Sequence, residues 1–423
     1  MGDGHALPEP QPKNESRQES SRTPGGTAVI GPGWAGEPTP QRTPARPARD
    51  RRIAVVTGSR ADFGLLRPVM AAIEDRPGLQ LLVVAAGAHL IPPAASFRDV
   101  KAAFDVADSV PMQKPGRATR FDDAEALGAG VARFARSFRD LEPDWVVVLG
   151  DRIEAFAAAS AAAVGGWALA HLHGGDRAEG VADESMRHAI SKLAHLHLAA
   201  TAASADRLQK MGEPTGQIHV VGSPAIDGLA AVPAMADADY DALGSPRLVV
   251  LLHPTGRSDE SEEHVAATVL AAVRSAGAAF LVLAPNHDPG RGGVLRAIRE
   301  AVGEPTPHVP RDRFVGLLRR VADAGGALVG NSSAGLIEAP ALGLRVLDVG
   351  PRQQGRERPE GVHHAADPSA ADLERAILRM LAGPPCDAAG HPYGDGHAGV
   401  RVAALLAEVD PHSRGLIRKL NTY

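Results

Sequence analysis

At 423 residues the chain is long enough for two core-bearing domains, and with 44% apolar but only 4% aromatic residues its core must be built from Ala, Val and Leu. A formal charge of −5 with no Lys/Arg cluster speaks against nucleic acid as a partner, and the single cysteine, Cys386, excludes an intrachain disulfide. No apolar run approaches the roughly 20 residues of a membrane helix, and no apolar stretch follows the N-terminal Pro, Gly, Ser and Arg residues as a signal peptide requires, so a soluble cytoplasmic protein without a membrane partner is expected.

Residues 1–50 are rich in Pro, Gly, Ser, Thr and charge, bury too little apolar surface to offset their ordering entropy, and are expected to be a disordered tail. Order is expected from Arg51. RRIAVVTGSR reads as a buried strand running into a Gly-Ser-Arg turn, ADFGLLRPVMAAIED as a helix and LQLLVVAAGAHL as the next strand. Residues 122–140 place Leu127, Val131 and Phe134 on one helical face. VVVLGD and WALAHLHGG are apolar runs ending in Gly or Asp, as buried parallel strands do, and the Ala-rich IEAFAAASAAAV between them is a strong helix former. AHLHLAAT and IHVVGSP supply two more strands. Strands and helices alternating in this way predict a doubly wound parallel sheet over 51–224.

Around 225–244 small and acidic residues take over, as in a connector, and then the pattern restarts. RLVVLLHP, AAFLVLAPN, GGALVGNSS and LRVLDVG read as strands. SEEHVAATVLAAVRSA, GGVLRAIREAV, RDRFVGLLRRVADA, AGLIEAPALG and SAADLERAILRMLAG read as helices. A second Rossmann-like half over 225–395 therefore faces the first across a cleft. The segment 396–423, from VRVAALLAEVD to GLIRKL, is expected to be helical and able to pack on either half.

Ligands of open α/β sheets bind at the carboxyl ends of the strands, and the strand–helix–strand unit of the first half brings Asp151, His171, His173, Asp176, Asp183, Glu184 and His188 to such an end. That region is the expected active site. Asp151, Asp176 and Asp183 are expected to raise one another's pKa toward neutrality, as proton chemistry needs. His171, His173, Asp176 and His188 also invite a metal reading, which is set below metal-free chemistry because no metallohydrolase motif accompanies them. His195 and His197 are expected in the core. For His188, beside the apolar stripe of Met186, Ile190 and Leu193, a core role weighs as much as a ligand role.

In the second half GNSSAGLIEA is the clearest anion site: a strand ends at Gly330, and Ser332 and Ser333 precede a helix expected near Ala334, whose free amides would meet a phosphate. Ser332 as a plain helix cap is the competing reading. Glu338, a turn on, is placed for a ribose. TGSR has neither G-x-G-x-x-G nor G-K-[ST], yet Arg60 stands at a strand–helix junction where it can pair with a phosphate. Gln353, Gly355, Arg356 and Arg358 of PRQQGRERPEG are expected to form a mobile polar loop after a strand, able to cover a diphosphate, although such a charge run is more often solvated surface. His253 ends its strand toward the cleft.

VVTGSRADFGLLRP, VVVLGDRIEAFAAA, HLHGGDRAEGVADESMRHAISKLAHLH, VVGSPAID, HPTG, PNHDPG and GNSSAGLIEAPALGLRVLDVGPRQQGR occur in this order. Together, over about residues 52–380, they resemble the UDP-N-acetylglucosamine 2-epimerase family, and within it the hydrolysing branch that feeds sialic-acid-type sugar synthesis. The resemblance implies a GT-B-like α/β fold, two Rossmann-like doubly wound domains with the active site in the interdomain cleft, and a C-terminal helix crossing back to the first domain. It implies metal-free chemistry without a cofactor: elimination of the nucleoside diphosphate to 2-acetamidoglucal, then hydration to N-acetylmannosamine. By resemblance Asp151, Asp176, Asp183 and Glu184 are the catalytic carboxylates, acid and base unassigned. Arg60, His173, His188, His253, Asn286, Ser332, Ser333, Glu338 and Arg356 are the substrate contacts, and a homo-oligomer, dimer or tetramer, is expected.

Three positions depart from the family pattern: Phe63 where Tyr is common, Asp176 where Glu is common, and Leu65 where non-hydrolysing relatives carry Lys. The shorter carboxylate at 176 leaves the sugar open. A GDP-linked or diacetamido sugar, a non-hydrolysing 2-epimerase, a GT-B glycosyltransferase and a binding module without turnover stand as alternatives.

Overall fold

The computed structural model describes residues 49–92, 95–116, 119–177, 184–286, 288–307, 309–383, 386, 390–420 and 422. Of the expected tail over 1–50 only Arg49 and Asp50 are among them, and Asp183 lies outside them. Seven parallel strands form the first sheet: β1 (Arg51–Thr57), β2 (Leu79–Ala86), β3 (Val106–Val110), β4 (Trp145–Leu149), β5 (Ala168–Leu172), β6 (Leu196–Ala199) and β7 (Ile218–Val220), in the order β3-β2-β1-β4-β5-β6-β7. Five more parallel strands form the second: β8 (Leu248–Leu251), β9 (Phe280–Val282), β10 (Ala327–Gly330), β11 (Arg345–Val349) and β12 (Val362–Ala365), in the order β12-β11-β10-β8-β9.

Alternation along β1 explains why both faces are apolar. Ile53 and Val55 enter the core beneath the helix Arg60–Glu74, while Ala54 and Val56 point to the opposite layer with the helices Arg120–Leu141 and Ile153–Gly165. In that second layer small residues replace aromatic bulk. A Cβ on Gly130 would stand 2.9 Å from the Cβ of Ala157, so the two helices meet almost backbone to backbone. Strand order reverses between β1 and β4 in the first sheet and between β8 and β10 in the second. These are the switch points where crevices open at the carboxyl ends of strands, and the segments carrying Arg60, Asp151, His253 and Ser332 leave from them.

Several elements escape the sequence reading. β3 and β12 are edge strands with half-exposed patterns, and β3 also pairs with a register shift at Val83/Val84, so neither reads as an apolar run. The helices Phe97–Ala103 and Ala202–Lys210 are short. The helix expected over AGLIEAPALG is instead a 3-10 turn, Ser333–Gly335, followed by a four-residue helix, Glu338–Ala341. Pro340 has no N–H with which to carry one continuous helix through this stretch.

The C-terminal segment returns to the first half. Helix Ala398–Glu408 lies on helix Arg60–Glu74, with Val402, Ala403 and Leu406 in one core with Val69, Met70 and Ile73. Gly399 is required there, because a Cβ would fall 2.6 Å from the Pro68 carbonyl oxygen. The Asp227 carboxylate caps the helix, accepting from the amides of Ala398 (3.0 Å) and Gly399 (2.6 Å). Further on, Lys419 donates to the carbonyls of Ser191, Lys192 and Ala194 and stands 2.5 Å from the buried Glu213. Among the described residues no helix is long and apolar enough to cross a membrane.

Candidate active site

β4 ends in Gly150, whose φ of 73° turns the chain sharply, and Asp151 follows. Its carboxylate is ion-paired with the guanidinium of Arg187, from the helix Glu184–Leu193. Arg187 is buried, and its Nε and Nη1 have no hydrogen-bond partner among the described residues. Burial, reinforced by the charge of Arg356, pulls its pKa down to about 9.

β5 runs into a tight turn, His173-Gly174-Gly175-Asp176, in which His173 itself adopts the left-handed conformation at φ 59°. The turn folds back so that His173 Nδ1 lies 2.7 Å from Asp176 Oδ2. Ser204 Oγ donates to the other carboxylate oxygen at 2.7 Å, and His173 Nε2 lies 3.1 Å from Ser223 Oγ. Gly175 has no alternative, since a Cβ would stand 2.3 Å from the Ser204 carbonyl oxygen. The expectation that neighbouring carboxylates raise the pKa of Asp176 is overturned. Burial does push it up, but the charge and hydrogen bond of His173, the charge of Arg356 and the Ser204 hydroxyl outweigh burial and hold it below the usual carboxylate range.

His171 does not join His173. It is fully buried, donates from Nε2 to the Gly150 carbonyl at 2.8 Å, and is driven by desolvation to a pKa of about 3, so the ring is neutral. Among the described residues no three His, Cys, Asp or Glu side chains are grouped to hold a metal ion. His195 and His197 are core members: His195 Nδ1 accepts from the Leu169 amide, and His197 Nε2 lies 2.8 Å from Glu213. Glu184 opens its helix 3.4 Å from His188 Nε2 and 3.6 Å from Arg177 Nε.

In the second half His253 leaves β8 with its backbone clamped by Asn331. The His253 amide donates to Asn331 Oδ1 (2.7 Å), and Asn331 Nδ2 donates to the His253 carbonyl (2.8 Å). The imidazole accepts from the Asn286 amide at 3.1 Å, and burial, with the charge of Arg352, lowers its pKa to about 3. Asn286 Nδ2 donates to Asp288 at 2.5 Å. Ser332 Oγ accepts from the Ala334 amide at the start of the 3-10 turn, and Glu338 lies 3.3 Å from Arg311 Nη1. With four residues in the helix that follows, the helix dipole expected at this point contributes little. Arg60, at the first turn of its helix, is half exposed and 3.9 Å from Asp99.

Residues 351–361, expected to be a mobile loop, are pinned. Gln353 is buried and donates to the Asn331 carbonyl (2.9 Å), and Arg358 donates from two nitrogens to Asp348 Oδ2 (3.1 and 2.9 Å). The same segment reaches the first half, where Arg356 Nε donates to the Arg177 carbonyl (2.9 Å) and Glu357 accepts from Arg207. Three residues beside the expected set passed unnoticed in the sequence. Arg187 stands in the RHA motif, Arg207 lies on the short helix Ala202–Lys210 that the sequence does not announce, and Tyr393 falls outside any strand or helix pattern. Tyr393 is buried, donates to the Glu357 carbonyl at 3.3 Å, and lies close enough to act electrostatically on Arg187; burial raises its phenol above the usual range.

Two doubly wound parallel sheets whose strand-end loops touch one another define a GT-B-like α/β protein. The family model for UDP-N-acetylglucosamine 2-epimerase matches residues 71–407, and the chain belongs to that family. A UDP-N,N'-diacetylbacillosamine 2-epimerase (hydrolyzing) of Legionella pneumophila is 33% identical over 384 residues, 88% of this chain and 100% of that protein. A UDP-N-acetylglucosamine 2-epimerase of Neisseria meningitidis is 31% identical over 324 residues, 74% of this chain and 83% of that one. Among solved structures, the Neisseria meningitidis UDP-GlcNAc 2-epimerase bound to UDP-GlcNAc shares the fold at a TM-score of 0.68 and 18% identity, covering 85% of this chain and 100% of its own.

Proposed function

We propose that the protein is a hydrolysing 2-epimerase of a UDP-linked 2-acetamido sugar, with UDP-N-acetylglucosamine the first substrate to test. In the first step the C1–O bond to the diphosphate breaks, the C2 proton passes to a carboxylate, and the electrons of that C–H bond form the C1=C2 bond of 2-acetamidoglucal. In the second, water adds its oxygen to C1 while C2 takes a proton on the opposite face, giving N-acetylmannosamine and UDP. The observation carrying this reading is the carboxylate set around two arginines, one buried and one half-buried: Asp151 on the buried Arg187, with Asp176 held ionised by His173 and the half-buried Arg356.

An ionised Asp176 suits the accepting side of proton transfer, and a carboxylate of low basicity accepts most readily once departure of the diphosphate has acidified C2–H. Asp151, Asp183 and Glu184 are the remaining groups proposed to move protons. Ser332, Ser333 and His253 are proposed to hold the diphosphate and uridine end with Arg60, Asn286, Glu338 and Arg356. His173 and His188 are proposed to face the sugar. A second reading, a diacetamido sugar of the bacillosamine type, is favoured by the full-length match to the Legionella pneumophila protein.

Proton NMR in D2O with each UDP sugar in turn tests both readings. Free mannosamine-type sugar deuterated at C2, with UDP, is the expected product. A product still linked to UDP refutes hydrolysis, and an acceptor-dependent product without exchange at C2 refutes the epimerase reading.

A further inference from the structure

Arg207 joins the two halves at the point where the first holds Asp176. Its Nη1 donates to the Gly175 carbonyl (3.0 Å) and to Ser204 Oγ (3.3 Å), the hydroxyl that in turn donates to Asp176. Its Nη2 donates to the Gly355 carbonyl (3.2 Å) and to Glu357 Oε1 (2.5 Å) in the second half. A solvated ion pair between two flexible side chains contributes about 0–1 kcal/mol. This contact differs, because one rigid planar fork grips two backbone carbonyls, a hydroxyl and a carboxylate at once, with the side chains 23% and 20% exposed. Lysine, a point charge on a flexible stem, cannot hold both ends.

Both ends of the fork are seated. On the first-half side, Gly175 lies against the Ser204 backbone with no room for a Cβ, so the turn bearing Asp176 moves with the helix Ala202–Lys210. In the second half, residues 350–361 are bound to Asn331 by Gln353 Nε2 (2.9 Å) and Arg352 Nη1 (3.3 Å), both donating to the carbonyl just before Ser332 and Ser333. A contiguous polar path therefore runs from the serines proposed to hold the diphosphate, through 350–361 and Arg207, to the proposed proton acceptor.

We propose that Arg207 is a positioning residue that ties the seat of Asp176 to the 350–361 segment, so that nucleotide occupancy of the second half sets the placement of the carboxylate in the first. The proposal rests on the reading of the cleft as a nucleotide-sugar site. It explains why an arginine that touches no reacting atom stands between them: a displacement of about 1 Å at a reacting group costs about a hundredfold in rate.

The test uses the full chain, with Arg207→Met and, removing the carboxylate that anchors the fork from the other side and leaving it only the Gly355 carbonyl there, Glu357→Ala. Calorimetry measures UDP affinity, amide hydrogen exchange with and without UDP follows residues 171–177 and 350–361, and steady-state kinetics separates kcat from KM. In the unaltered protein UDP slows exchange in both segments. In either variant UDP should still slow exchange in 350–361 but no longer in 171–177, with kcat down about 10- to 100-fold and UDP affinity within about threefold. Arg207→Lys should recover little of the loss. Retained protection of 171–177, an unchanged kcat, or equal losses in kcat and UDP affinity would overturn the proposal. Protection absent from 171–177 in the unaltered protein with UDP bound overturns it as well. Failure of the unaltered protein to bind UDP at all overturns instead the nucleotide-site reading, and the coupling with it.

Discussion

Glu213 offers the sharpest stability test, because three cationic or potentially cationic groups converge on one fully buried carboxylate. His197 Nε2 lies 2.8 Å from one oxygen and Lys419 Nζ 2.5 Å from the same oxygen, while Lys192 Nζ is 2.7 Å from the other. Burial raises its pKa, but the hydrogen bonds from His197, Lys192 and Lys419 more than reverse this and leave it at about 2, against an ordinary 4.5. That depression corresponds to about 3 kcal/mol in favour of the charged, folded form. Glu213→Gln removes the charge and keeps the shape. Breaking one side of a buried ion pair costs about 3–5 kcal/mol. The low end applies here, because Lys419 keeps its three carbonyl acceptors.

The assay is urea unfolding followed by the fluorescence of Trp145 and Trp167, both in the first half. At an m-value of about 3 kcal/mol per M, the midpoint should fall by about 1 M at neutral pH. A carboxyl whose folded pKa is depressed stabilises above its unfolded value and loses that contribution as pH falls toward the folded one. The deficit of the variant should therefore be constant above about pH 5.5 and shrink below 4.5. A variant within about 0.5 kcal/mol of the parent at neutral pH, or a deficit indifferent to acid, would refute the reasoning.

Asp151→Asn should keep UDP affinity and lose about three orders of magnitude in kcat. Because it also strips Arg187 of its counter-charge, thermal unfolding must show the variant folded at the assay temperature, and near-normal turnover would remove Asp151 from its proposed role. Ser333→Ala should weaken UDP binding about fivefold by loss of one hydrogen bond, and an unaltered calorimetric affinity would contradict the diphosphate seat. Glu154 is buried against Gly58 and Gly87, 3.4 Å from Arg152 Nε; burial, against the charge of Arg152, raises its pKa. A buried carboxyl shifted upward loses its contribution as pH rises from the ordinary 4.5. Glu154→Gln should thus gain in Tm relative to the parent between pH 5 and 8, and a deficit widening with pH would show that the charged form is the one the fold holds.

Strands buried on both faces were the most legible part of the sequence. β1, β4, β5, β10 and β11 announce themselves as apolar runs leading into Gly or Asp and β8 as one leading into His-Pro, and their order already implied two halves and a cleft. Of the edge strands, β7 and β9 were legible but β3 and β12 were not, because each runs partly in solvent, with Ala107 and Ser109 exposed in one and His363 and His364 in the other. At the site, histidines and carboxylates on strand ends stood out by type and position, but their states did not. Asp176 is lowered first by His173, three residues before it, through a turn whose left-handed His173 the spacing alone does not announce, and then by Arg356 and Ser204, which loops and helices bring in from far along the chain. Arg187 was hidden because an arginine on a helix looks the same whether it faces water or a half-buried carboxylate, and Arg207 because its short helix did not read as one.

The returning C-terminal helix also bears on how the molecule is made. The layer over β1 is finished only by Val402 and Leu406, the guanidinium of Arg51 donates to the carbonyls of Leu406, Ala407 and Val409, and the Glu213 cluster is closed only by Lys419. Yet the entire second sheet, β8 to β12, lies between these residues and the domain they complete. During synthesis from the N-terminus the second half can therefore assemble first, even though its partner leaves the ribosome earlier. Until the last residues emerge, the first half must wait with helix Arg60–Glu74 uncovered and Glu213 short of one cation, an interval in which a chaperone, or aggregation, has its best opportunity.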